Sequence, residues 1–157
     1  MRAPRFAVLL AIGLLGFTLV GCGADSDDNS GAAAPKRPAL APGEELVRYS
    51  RVGGEPLVDD ELTVQPDGSF TVEQDGKGSA SGKLTEAELA ALEKVFTDNG
   101  FDKIDSDLTR NSSTDMDKPS YDIRYAGHSV TIIHGNRTSA LQPIIDACDA
   151  FIASHLT

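Results

Sequence analysis

The spacing of apolar residues along this chain switches between strict alternation and a three-to-four-residue period, and each switch marks an element. Val47 and Tyr49 alternate against Arg48 and Ser50, so residues 45–51 read as a strand, broken by Val52-Gly53-Gly54-Glu55-Pro56. Leu62 and Val64 alternate, Pro66-Asp67-Gly68 supplies a turn, and Phe70 and Val72 alternate again, which predicts a hairpin. Residues 76–82 are small and polar and read as a frayed extension of that hairpin. Thr85-Glu86-Ala87-Glu88 matches a capping box, and Leu89, Leu92, Val95 and Phe96 follow at helical spacing until Asn99-Gly100. Tyr121, Ile123 and Tyr125 alternate, Ala126-Gly127 turns the chain, and Val130 and Ile132 return, giving a second hairpin. Leu141, Ile144, Ile145, Cys148, Phe151, Ile152 and Leu156 then trace the stripe of a helix, with Pro143 in its first turn. The order β-β-β-α-β-β-α implies an α+β fold: an antiparallel sheet of four to five strands with two helices packed on one face.

The first 43 residues follow other rules. An apolar run over residues 6–20 stands after Arg2 and Arg5 and closes on Leu19-Val20-Gly21-Cys22. A basic start, a short apolar stretch and small residues before a cut make a secretory signal. The run is short of the roughly 20 apolar residues that span a bilayer core. Cysteine directly after Leu-Val-Gly resembles a bacterial lipobox. That resemblance implies cleavage before Cys22, acylation of Cys22 and attachment to the outer side of the cell membrane. Residues 23–43 contain three prolines, one leucine and no aromatic residue, so they lack the apolar area that would offset ordering. The chain therefore divides into a lipoprotein signal peptide (1–21), a disordered tether (22–43) and a single domain (44–157), long enough for one core.

Charge narrows the partners. Arg2 and Arg5 are two of the 14 basic residues, so a chain beginning at Cys22 has 12 basic residues against 24 acidic ones, a net charge of −12. That balance opposes nucleic acid, which demands basic surface. Cys148 is the one cysteine left after Cys22 and falls on the apolar helical stripe, where it reads as a buried structural thiol. None of the nucleophile-elbow, phosphate-loop, zinc-helix or dinucleotide motifs is present. His128 and His134 share a strand face by parity, but six residues of strand hold them about 20 Å apart, too far to ligate one metal. The acidic stretches beginning at Asp25 and Asp105 lack the glycine and glutamate of a calcium loop. Glu86, Glu88 and Glu93 read as cap and solvated helix face. No cofactor, no metal site and no catalytic residue is expected.

Four local patterns occur in sequence order: Arg51-Val52-Gly53-Gly54, Leu62-Thr63-Val64 with Asp67-Gly68, Leu84-Thr85-Glu86-Ala87-Glu88-Leu89, and Tyr121-x-Ile123-x-Tyr125 before a terminal amphipathic helix. In that order they resemble the emfourin-like proteins, small inhibitors of thermolysin-like metallopeptidases, and related bacterial lipoproteins. The resemblance implies a non-enzymatic protein whose partner is a secreted metallopeptidase. The turn Arg51, Val52, Gly53, Gly54 and Glu55 is then the partner-binding loop, with Arg51 pairing an acid in the enzyme's cleft; read without the resemblance, it is a plain turn. A second reading is a non-catalytic binding module for a small ligand or cell-envelope partner, using the sheet face away from the helices.

Overall fold

A computed structural model describes residues 39–108, 117–133 and 139–156. The signal peptide, Cys22 and nearly all of the tether lie outside the described residues, as does His134. Six strands form one antiparallel sheet: β1 (Val47–Gly53), β2 (Val58–Val64), β3 (Ser69–Gln74), β4 (Gly78–Lys83), β5 (Pro119–Tyr125) and β6 (His128–Ile132). Their spatial order is β4-β3-β2-β1-β5-β6. Two helices, α1 (Glu86–Asp98) and α2 (Gln142–His155), complete the α+β fold.

Two strands differ from expectation. β1 does not end at Arg51. It runs on through Gly53, which pairs with Val58, because β2 begins four residues earlier than its apolar alternation shows. Three of the four residues Val58, Asp59, Asp60 and Glu61 are acidic, yet their backbone pairs with β1 along the whole strand. Residues 78–83 form a true sixth strand, registered from Gln74↔Gly78 to Ser69↔Lys83. Its residues Gly-Ser-Ala-Ser-Gly-Lys carry no alternation because it is an edge strand with little to bury.

Parity separates the faces. Tyr49, Leu62, Val72, Ile123 and Ile132 are fully buried and share one core with Leu92, Phe96, Ile144, Ile145 and Cys148 of the helices. Phe96 of α1 stacks on Tyr125 of β5 with ring centroids 4.6 Å apart. Phe151 of α2 meets Phe70 of β3 edge-on at 5.2 Å, but Phe151 itself is half-buried. The capping box forms: Thr85 accepts from the Glu88 backbone N–H, and Glu88 accepts from the Thr85 backbone at 2.8 Å. The Thr85 backbone N–H and, at 2.7 Å, the Thr85 hydroxyl both donate to the Glu88 carboxylate and hold it below its usual range. Glu93, assigned above to the solvated face, is buried. It occupies the i+4 place after Leu89 and so falls on the apolar stripe. Past α1, Asp107 bridges Thr131 in parallel, which covers part of the outer edge of β6.

Candidate partner-binding hairpin

The connection between β1 and β2 is the most distinctive surface feature. Gly53 and Gly54 both take positive φ, at 93° and 85°, a region L side chains rarely adopt. Gly54 also sits against the start of β5. A Cβ there would lie 3.1 Å from the Pro119 Cδ and 3.3 Å from the Asp117 carbonyl oxygen. Glu55 donates its backbone N–H to that same carbonyl at 2.9 Å. The base of the tip is thereby tied to β5, while Glu55, Pro56 and Leu57 project into solvent. Leu57 is 74% exposed and Val52 45%, the large apolar side chains most open to water among the described residues.

Arg51 does not belong to that projecting surface. It continues the parity of Val47 and Tyr49, so its side chain enters the helix-facing layer. There its Nε donates to Asp60 Oδ2 at 2.7 Å, Nη2 donates to the same oxygen, and Nη1 donates to Asp149 Oδ2 of α2 at 2.9 Å. Tyr49 donates its hydroxyl to Asp149 Oδ1 at 2.5 Å, and Gln74 Nε2 donates to Asp60 Oδ1 at 2.7 Å. Asp60 is 1% exposed. Burial works against the charged guanidinium, but the Asp60 bond and the Asp149 charge outweigh it and raise its pKa. Burial, then the bond to Asp149, pushes the Tyr49 phenol far above its usual value. This corrects the expectation that Arg51 pairs an acid in a partner's cleft: the acids of this chain already pair it, and Gly54 touches the start of β5. Of the five residues of the turn, Val52 and Glu55 are exposed. The parity of the strand and the neighbouring Asp60 could have flagged the inward arginine; no local pattern flags Asp149.

Two concavities lie elsewhere. On the sheet face away from the helices, Asp59, Glu61, Glu73, Asp75 and Ser79 rim a depression of about 410 Å³ beside the β4 edge. Between the helices, Leu84, Leu92, Val95, Ala147, Phe151 and His155 line an open apolar groove of about 330 Å³. His155 stacks on Phe151 there, and His128 bonds the Ile104 carbonyl at 2.9 Å. Among the described residues, no three His, Cys, Asp or Glu side chains are grouped to hold a metal ion. Cys148 is buried and free, and burial raises its thiol pKa well above the usual value. No protein-family model matches this chain, and no curated protein matches it significantly.

Proposed function

We propose that this chain is a lipid-anchored, extracytoplasmic protein that binds a partner protein through the tip of the β1–β2 hairpin, and that the partner is a thermolysin-like metallopeptidase which it inhibits. The observation that carries the binding role is the tip itself: an exposed Leu57 and Val52 on a backbone fixed by Glu55 and Gly54 against β5. A protrusion held in place before binding loses little conformational freedom on entering a cleft. An exposed leucine on such a protrusion can fill an apolar subsite. The choice of enzyme class rests on the sequence resemblance alone. Membrane attachment rests on Leu19-Val20-Gly21-Cys22.

The test is inhibition of thermolysin by the full chain in detergent, with the zinc content of the enzyme measured alongside. Leu57→Asp should weaken inhibition about tenfold or more, as removal of a central apolar anchor does. Its unfolding midpoint should not move, since Leu57 packs against nothing. Absence of inhibition at micromolar chain would overturn the inhibitor reading. The groove between α1 and α2, in place of the sheet face away from the helices, favours the second reading, a non-catalytic binding module for a small ligand or cell-envelope partner. Ala147→Phe, which would fill that groove, separates the two: it blocks an apolar probe there and leaves hairpin binding intact.

A further inference from the structure

We propose that the open edge of β4 pairs antiparallel with β4 of a second copy of this chain, about a two-fold axis through Ser81, and that Lys83 of each copy is received by the acidic depression of the other. The edge is ready to pair. Within Gly78–Lys83 no bulky side chain and no bulge interrupts the strand, and its exposed residues leave the backbone accessible. Among the described residues, no backbone hydrogen bond covers its outer side. Every second residue of such an edge turns an N–H and a C=O to solvent, which is a template for another strand.

Charge selects the occupant and the register. Opposed residues in an antiparallel pair point to the same face, so Ser79, Ser81 and Lys83, which all face away from the helices, must oppose one another. With the axis at Ser81, Lys83 of one copy stands opposite Ser79 of the other. Ser79 is itself paired to Glu73, and Glu73 to Glu61. Strand spacing then puts the incoming lysine backbone about 10 Å from that of Glu73, which the two extended side chains span. Asp59, Glu73 and Asp75 have no ion-pair partner among the described residues, whereas Lys83 has only an exposed pair with Asp67 at 3.1 Å. The contact is isologous, so it forms twice and closes. One six-residue strand buries less area than a stable dimer needs, so the association is weak and reversible.

Disulfide trapping in the full chain in membranes tests this. Ser81→Cys should give a covalent homodimer under mild oxidation. Thr71→Cys, on the same face but one strand inward, should not, because two such positions lie about 14 Å apart across the joined edges. Adding Lys83→Glu to Ser81→Cys should cut the trapped dimer about tenfold by setting like charges together. Adding Glu73→Lys as well should restore it. Failure of Ser81→Cys to cross-link, its cross-linking to a different protein, equal trapping at Thr71→Cys, or indifference to Lys83→Glu would each overturn the proposal.

Discussion

At the scale of single residues, Arg51 shows how parity decides role. Two residues further into solvent it would be a free cation on a loop; on a strand that continues to Gly53 it becomes the cation of a buried network. Arg51→Ala should therefore lower stability by about 3 kcal/mol, because Asp60 stays buried without its partner. A denaturant midpoint measures this, and a change under about 1 kcal/mol would mean that Asp60 finds water. The network was only half legible. Asp60 shares the parity of Leu62 and Val64, so its inward direction could be read; Asp149, brought from the far end of the chain, could not. Buried protons give a second prediction. The folded-state pKa of both Tyr49 and Cys148 lies above the ordinary values of 10.0 and 9.0. Both groups therefore stay protonated when folded and ionise when unfolded. Their contribution is complete below about pH 9 and falls as pH rises, by up to about 1.4 kcal/mol per pH unit for each group. Urea midpoints should drop between pH 8 and 10.5, and Cys148→Ala should remove the part of the slope that begins near pH 9. A midpoint flat to pH 10.5 would place both side chains in contact with water.

At the scale of elements, what could be read was what alternates or repeats. Both helices, the capping box and the second hairpin follow from apolar spacing and turn chemistry. β4 could be read only as a frayed extension, because an edge strand built from Gly, Ser and Ala has no hydrophobic period and low intrinsic preference for extended structure. Its place is set by Phe70 instead. A Cβ on Gly82 would lie 2.8 Å from the Phe70 ring, and that ring packs edge-on against the stacked Phe151–His155 pair. Gly82→Ala should therefore cost about 1–3 kcal/mol as an overpacking change, although the site is a solvent-exposed strand where alanine would ordinarily be harmless. The β5–β6 turn offers the opposite case. Ala126 is held at φ 51° before Gly127 at 84°, the backbone of a tight mirror-image turn. Ala126→Asn would create the Asn-Gly pair that such turns favour and should raise stability by about 0.5–1 kcal/mol. A thermal shift of the opposite sign would show that the methyl's packing against the core outweighs the backbone strain.

At the scale of the whole molecule, the proposed anchor at Cys22 lies outside the described core. The buried core cluster begins at Leu46 and ends at Ile152, with Leu40 the earliest described residue packed against it. Among the described residues no helix is long and apolar enough to cross a membrane. Cleavage before Cys22 would leave a net charge of −12, which opposes anionic lipid. On the lipid-anchor proposal, attachment should rest on acyl chains at Cys22, each buried methylene adding about 0.8 kcal/mol. Cys22→Ser should abolish labelling by a tagged fatty acid. It should also move the protein from the membrane fraction to the soluble one, or leave it uncleaved, while the unfolding midpoint of the folded domain stays where it was. High salt should not release the unsubstituted chain, because attachment through acyl chains is apolar. Cleavage before residue 22 together with undiminished membrane retention of the Cys22→Ser chain would place the anchor elsewhere and leave Leu19-Val20-Gly21-Cys22 as an ordinary secretory cut.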